Sequence, residues 1–585
     1  MRTKRTAAVA ALSVGALFLG ACGSAGGNND AAESEGGNEN IASTINIAIS
    51  QAPDAYNSNT SNANSVYNTY VTNLTMSNFA AMNSDGELTP NPDMGSYEKV
   101  SEDPLTIKYT IHEDAVWSDG TPIDFDDYLL DWASRSGKFL NGEEDIFQPA
   151  SNNGYSQIEK PEGSAGDKEF TFVFTEPYVD WEALLTEPVM PAHIAAEQAG
   201  LSVENNGEAL VEAIQNDDIE ALTPVAEFWN SGWNFADAEL SSIPDTALMP
   251  ASGPYKMETG SNGNLTLVKN DQYWGERAGK TDTIVFKAIE DTEAVQALQN
   301  GDVDVIEPSG PTVDTKTQLE AIDGIELEVG SQMTFSHIDF DQRPGAVFED
   351  LAVRQAFAKC TPRQEIVDKF LKPVDPEGVV MDLREFQPSS PEYEEVLEAV
   401  PTAAEYKDVD VEGAKALLEE AGKTAPVDVR LMFSASSQVR ADITALIKNS
   451  CDKAGFNIIA QPDAEWTSKL DEPGAWDAAL FAWAGSGLIA SGESIYISEG
   501  VQNYGDFSNE EVDRLWSEVV TLTDASEAVE LKKGIEEALW SDMYNVVLYA
   551  NPGLVAYNSN MEGVKYNPTQ TGITWNAYEW TKSNG

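Results

Sequence analysis

Three histidines, His112, His193 and His337, are the whole imidazole complement of the 585-residue chain. None has a second His or Cys at ligand spacing, so no zinc site is expected. A serine hydrolase would need one of them to serve a nucleophile, and the sequence carries no Gly-x-Ser-x-Gly elbow. The stretch GERAGKT, Gly275 to Thr281, approaches a phosphate-binding loop but has three residues between its glycines where four are required. It also follows Tyr273-Trp274 rather than an apolar strand, and reads as a turn. Acid pairs for glycoside hydrolysis are offered everywhere by 98 Asp+Glu and singled out nowhere. No catalytic residue, metal ligand or cofactor site is assigned.

One other pattern has the make-up of a binding loop. FAWAGSGL, Phe481 to Leu488, carries an aromatic residue and then two glycines around a serine, with no charge. Gly485 and Gly487 suggest close backbone approach, which puts Trp483 against a ligand; the bland alternative is a core tryptophan.

These residues need elements to position them. A chain of this length splits into two or three lobes. The strand STINIAIS (Ser43 to Ser50) alternates Ile45, Ile47 and Ile49 with smaller or polar residues. Leu105 to Ile111 alternates likewise, Asp119-Gly120-Thr121-Pro122 turns, and Asp124 to Ser134 reads as an N-capped helix. Thr361-Pro362 with Gln364 reads as a helix start, as does Asp410, whose helix Gly422 closes. From Val427 to Ala460 a strand, the helix Gln438 to Ala454 and a second strand form a βαβ unit, so the class is α/β.

Against 98 acids stand 35 Lys+Arg, a formal charge of −63 that repels phosphate backbones and excludes nucleic-acid binding. The acids are spread along the chain and read as a solvated surface. Residues 1–21 hold Arg2, Lys4 and Arg5, an apolar run from Ala7 to Leu19 and small residues before Cys22. That is a secretory signal, too short in its apolar run to remain as a membrane span. Residues 22–43 read as a Gly/Ser/Asn-rich tether. Cys360 and Cys451 each fall on the apolar face of a predicted helix; outside the cell a disulfide is favoured over two core thiols, and neither reading is catalytic.

The order Leu19-Gly20-Ala21-Cys22 resembles the bacterial lipobox, which implies lipidation at Cys22. Ser101 to Trp132, centred on WSDGTP (Trp117 to Pro122), resembles the signature region of the family 5 extracellular solute-binding proteins of ABC importers, which include oligopeptide- and dipeptide-binding proteins. Pro191-Ala192-His193, Gly253-Pro254-Tyr255, Asn270 to Trp274, Glu293 to Asp304, Leu351 to Asp368, Val411 to Gly422 and Met561 to Val564 are similar to that family's landmarks, in its order.

The resemblance implies a two-lobed clamshell like the periplasmic binding proteins, with hinge strands and an extra domain inserted in lobe one. Lobe one would take 44–81, 247–306 and 540–585, the insertion 82–246, and lobe two 307–539. It implies a monomeric, non-enzymatic receptor, tethered to the outer face of the cytoplasmic membrane, that closes on a solute and serves a permease. Peptide is the expected solute; an oligosaccharide, metal chelate or haem is the alternative, and a secreted hydrolase the reading from another class. Tyr56, Asn57, Asn64, Asn503 and Tyr504 lie where the family's loops enter the cleft. In its peptide-binding members a Trp-x-x-Asp pattern pairs the ligand's α-ammonium; Trp483 matches the tryptophan, but Ser486 stands in the place of the acid.

Overall fold

The computed structural model describes residues 44–583 except 85, 236–239 and 241. The expected signal, the tether and Cys22 lie outside the described residues. Among those described, no helix is long and apolar enough to cross a membrane, and no group of three or more His, Cys, Asp or Glu side chains could hold a metal ion.

A single ten-stranded sheet runs through the molecule. At one end Thr44–Ile49 lies parallel to Thr283–Ala288 and Val305–Ile306, and Asn264–Lys269 and Tyr255–Ser261 extend the edge in antiparallel fashion. At the other, Val427–Ser434 is parallel to Phe456–Asp463 and to Ala478–Trp483. The helix Gln438–Ala454 connects the first two of these, so the βαβ unit read from the sequence is present. Two long strands join the ends. Ile325–Phe340 and Asn545–Asn558 pair antiparallel in two stretches, Ile325–Ser331 with Pro552–Asn558 and Phe335–Asp339 with Asn545–Ala550. The ladder is interrupted between Ser331 and Phe335, with a further register shift between Ser336 and His337.

Different cores lie to either side of the interruption. Leu319, Leu554 and Ala556 pack with Ala48, Ala294 and Leu298, whereas Trp540, Met543, Val546 and Leu548 pack with Ile338, Phe357 and Leu431. The interruption at 331–335 and 550–552 lies apart from the lobe boundaries at 306/307 and 539/540 that the family resemblance implies. Strand partners, which are remote in sequence, fix those points. At the crossing Gly330 faces Gly553, and the ring of Tyr566 lies against both. A Cβ at Gly330 would stand 2.7 Å from Tyr566 Cε1, and one at Gly553 2.0 Å from its hydroxyl.

The inserted segment builds a three-stranded antiparallel sheet from Gly95–Glu102, Leu105–Ile111 and Glu169–Val173. The alternation seen in Leu105–Ile111 is an alternation of burial. Asp124 caps the helix Phe125–Arg135, and Asp127 returns the bond from the Asp124 backbone N–H as a capping box. The Asp127 carboxylate also accepts from Trp117 Nε1 at 3.2 Å and from the Ala192 N–H at 2.9 Å, while His193 bonds Asp119 at 2.9 Å. The WSDGTP and Pro-Ala-His landmarks are thus internal scaffolding.

In lobe two Cys360 and Cys451 form a disulfide, with Cα atoms 5.0 Å apart and a sequence separation of 91. Asp410 caps the helix Val411–Glu420 as expected. The Thr361-Pro362 cap differs: Pro362 itself sits at the cap position, and the Thr361 hydroxyl donates back to the Phe357 carbonyl.

Candidate functional site

A cleft of about 550 Å³ opens between the inserted domain, lobe one and the FAWAGSGL loop of lobe two. Lobe one gives the helix Val66–Thr75 and its approach (Asn64, Ser65, Thr69, Asn73), and the segment Thr569 to Thr571 with Trp575 and Tyr578. The inserted domain gives Arg135, Ser151, Asn153, Tyr155, Tyr178, Leu184 and Thr186 to Pro188; lobe two gives Ser486 and Leu488. Most polar groups on this wall are neutral hydroxyls and amides. The only charged ones are Arg135, Arg277 and Glu187.

Arg135 ends the helix Phe125–Arg135 and is only 5% exposed. Its Nε lies 3.2 Å from Asp131 Oδ1 and its Nη1 3.8 Å from Glu187 Oε2, and the guanidinium sits 4.9 Å from the centroid of the Tyr155 ring. Tyr155 donates its hydroxyl to Asp131 at 2.7 Å. Burial opposes the Arg135 charge, but Asp131, Tyr155 and Glu187 more than offset it, so it stays a cation. Burial pushes Asp131 above the usual carboxylate range despite the pull of Arg135. Nε and Nη2 of Arg135 complete no hydrogen bond within the protein. Arg277 is supplied by the GERAGKT turn. Its glycines admit close neighbours: a Cβ at Gly275 would meet the Asp93 carboxylate, and one at Gly279 the Tyr255 ring.

The sequence-predicted residues divide. Asn64 and Ser486 line the cleft. Tyr56 does not: it is fully buried and donates its hydroxyl to the Pro250 carbonyl. Asn57 is buried beside it and donates to the Trp229 carbonyl, so both are consumed in joining the first strand's loop to the insertion. Asn503 staples its own loop, donating to the Ile497 and Phe507 carbonyls. Trp483 and Tyr504 are half-buried and not among the cleft-lining residues, and His337, Trp483 and Tyr504 form a stack of centroid spacings 5.9 and 5.8 Å. The Trp483 indole N–H is buried without a partner. Gly485 backs onto Met333, where a Cβ would come within 2.8 Å of the carbonyl oxygen, and its own carbonyl accepts from Gln570 at 3.4 Å. The Ser486 hydroxyl accepts from the Leu488 N–H. Arg135, Arg277, Tyr155 and Glu187 were not singled out from the sequence; the one available signal was the rarity of any base in so acidic a chain.

Further contacts tie the inserted domain to lobe two beside the cleft. The Asp180 carboxylate accepts from the N–H groups of Ile489 and Ala490 at 2.7 and 2.8 Å, directly after the cleft-lining Leu488. Lys99 Nζ and Trp181 Nε1 both donate to the Thr523 carbonyl, at 3.1 and 3.4 Å.

A cleft shared by two lobes of one sheet, crossed by two continuous strands, defines a clamshell receptor for a solute. The chain belongs to the bacterial extracellular solute-binding proteins of family 5, whose middle-region model matches residues 89–501. It is 26% identical over 563 residues to an uncharacterised lipoprotein of Mycobacterium tuberculosis, covering 92% of this chain and 93% of the relative. Among solved structures it is similar to a periplasmic EDTA-binding protein at a TM-score of 0.80 and 23% identity, covering 94% of this chain and 98% of the other. It is also similar to the oligopeptide-binding protein AppA of Bacillus subtilis in complex with a nonapeptide, at a TM-score of 0.65 and 20% identity over 93% and 100% of the two chains. These neighbours share the two-lobed fold, and their solutes differ.

Proposed function

We propose that the protein is the lipid-anchored, extracytoplasmic solute receptor of an ABC importer, closing its lobes on a compact solute and presenting the closed form to a permease. The observation that supports this reading is the cleft of about 550 Å³, walled by lobe one, the insertion and lobe two, a volume ordinary for a small-molecule site. Lobe one takes 44–81, 247–331 and 552–583, the insertion 82–246, and lobe two 335–550. The lipid anchor at Cys22 rests on the lipobox and on the lipoprotein naming of the Mycobacterium relative. Two acyl chains give stable anchoring where one is marginal.

Peptide is the solute that kinship with the oligopeptide-binding protein favours. The cleft favours it less. An α-ammonium needs a carboxylate partner, and the sole acid on the wall, Glu187, faces Arg135. Ser486 offers only a hydroxyl. A desolvated amine left unpaired loses about 2–5 kcal/mol. The wall therefore suits a solute whose polar groups are neutral or anionic.

Native mass spectrometry of the freshly purified protein, followed by thermal shift with the mass recovered, tests the reading. A compound that stabilises saturably and is recovered unchanged supports a receptor. Recovery of a cleaved compound refutes it in favour of a hydrolase.

A further inference from the structure

We infer that Met82 and Met333 form a site of reversible methionine oxidation, and that oxidation there parts the inserted domain from the FAWAGSGL loop of lobe two. This goes beyond the receptor reading and does not depend on which solute the cleft takes.

The chain has 12 methionines, of which Met1 lies outside the described residues. Of the others, all but two are buried, none of them more than 5% exposed. The two that are only half-buried, Met82 and Met333, are remote in sequence and meet in space. Both lie against Gly487: a Cβ there would stand 3.3 Å from Met82 Cε and 3.6 Å from Met333 Sδ. A thioether is oxidised where a reagent can reach its sulfur, so a dissolved oxidant meets this pair before any buried methionine.

The place they occupy is a junction. Met82 ends the strand Ala80–Met82 where the insertion begins, and it lines the cleft. Met333 stands in the interrupted stretch of the long ladder, its N–H donating to the Pro568 carbonyl and its carbonyl accepting from Gln387 Nε2, both at 3.0 Å. Its backbone is therefore held from two sides. Its side chain reaches the insertion, where a Cβ at Gly86 would stand 2.5 Å from Met333 Cε. On the lobe-two side a Cβ at Gly485 would come within 3.1 Å of Met333 Cβ. Gly86 and Gly487 have φ of +78° and +79°, a region that favours glycine, so neither contact can be cushioned by a side chain.

The oxidant is a peroxide. The sulfur lone pair attacks one peroxide oxygen, an S–O bond forms as the O–O bond breaks, and the leaving hydroxide takes the proton of the transferred oxygen to become water. The thioether loses two electrons and the peroxide gains them. Two thiols reverse the step, returning the thioether with a disulfide and water, which is the reaction of methionine sulfoxide reductases. The sulfoxide is polar and chiral where the thioether was apolar and flexible. Added to sulfurs packed this closely on backbone, its oxygen overfills the junction, and the loop and the insertion separate to admit it.

The test exposes the full mature chain to hydrogen peroxide, then to a methionine sulfoxide reductase with its thiol donor, and follows both steps by peptide mass spectrometry and hydrogen exchange. Expected is uptake of oxygen at Met82 and Met333 at least about tenfold faster than at any buried methionine. Exchange of the Gly485 to Leu488 amides should accelerate at least about tenfold with it and return to the starting rate after the reductase. The double variant Met82→Leu, Met333→Leu keeps the volume and cannot be oxidised. It should hold the protection of the loop through the same treatment, and it also controls for any action of the thiols on Cys360–Cys451. If that variant fails to fold, oxidation and repair of the parent chain decide the matter alone. Oxidation of the pair no faster than of the buried methionines, oxidation that leaves exchange of the loop unchanged, or equal loosening in the leucine variant each overturns the inference. No readout uses a solute, so failure here leaves the receptor reading standing, and failure of the receptor reading leaves this site standing.

Discussion

The Asp180 bridge lends itself to a test that needs no knowledge of the solute. Its carboxylate spans from the inserted domain to lobe two, taking the N–H groups of Ile489 and Ala490 at 2.7 and 2.8 Å. Hydrogen bonds to a charged acceptor contribute about 1.5–3 kcal/mol each, so the pair amounts to roughly 3–6 kcal/mol before desolvation. Burial takes part of this back: it holds Asp180 above the usual carboxylate range in spite of both N–H groups and the nearby Lys532. A net contribution of about 2 kcal/mol remains reasonable, which is about 30-fold in the ratio of closed to open forms. In Asp180→Ala, hydrogen exchange at the Ile489 and Ala490 amides should accelerate by about that factor. Small-angle scattering should also report a larger radius of gyration. Asp180→Asn, which keeps an acceptor oxygen, should fall between. Unchanged protection of the two amides together with superimposable scattering curves would refute the reasoning, leaving Lys99 and Trp181 at Thr523 to hold the lobes together.

Other outcomes follow from the same physical chemistry. Burial raises the pKa of Glu307 to about 7, against hydrogen bonds from Tyr70 and the Ile573 N–H; an acid raised on folding costs nothing while neutral in both states and destabilises as pH climbs from about 4.5 through 7. Glu307→Gln should therefore match the parent's melting temperature near pH 4.5 and exceed it at pH 8, and equal gaps at both pH values would count against this. Reduction of Cys360–Cys451 removes a cross-link over 91 residues, worth about 2–4 kcal/mol, and should lower the lobe-two transition in calorimetry; an unmoved thermogram would deny the bond a stabilising part. Trp483→Ala should cost about 3–5 kcal/mol in stability by emptying the stack between His337 and Tyr504, and an unaltered melting temperature would show that the stack carries no packing energy. Gly553→Ala should destabilise by about 1–3 kcal/mol through collision with Tyr566, and Tyr566→Ala in the same chain should recover much of that in a double-mutant cycle; additivity of the two would remove the ring as the cause.

Local chemistry was legible in the sequence, and long-range placement was not. The Asp124 cap and the βαβ unit from Val427 depend on residues within a few turns, and the pairing of Cys360 with Cys451 was legible because they are the two cysteines after Cys22 and each lies on the apolar face of its own helix. Ser486 was singled out because it departs from the family's Trp-x-x-Asp pattern, and its side chain lines the cleft. Tyr56 and Asn57 were misplaced because their partners, Pro250 and Trp229, lie 194 and 172 residues away. Asn503 looked like a free amide and is consumed by its own loop. The expected lobe boundaries rested on the family resemblance alone, and the break in the Ile325–Phe340 ladder after Ser331 falls in a stretch, LEVGSQMTF, whose sequence gives no outward sign of where partners change. Arg135 closes a helix as any basic residue does, and only the cavity beyond it gives the position meaning.

The facing glycines under Tyr566 bear on what a substitution at the break can reach. Gly330 and Gly553 occupy one rung at the break in the ladder, and the lobe cores on either side share no residue with each other. The rung therefore joins the two ends of the sheet through backbone and the Tyr566 ring alone, with no side chain of its own to pack into either core. A substitution there acts on the junction and reaches each core only through the chain that runs into it.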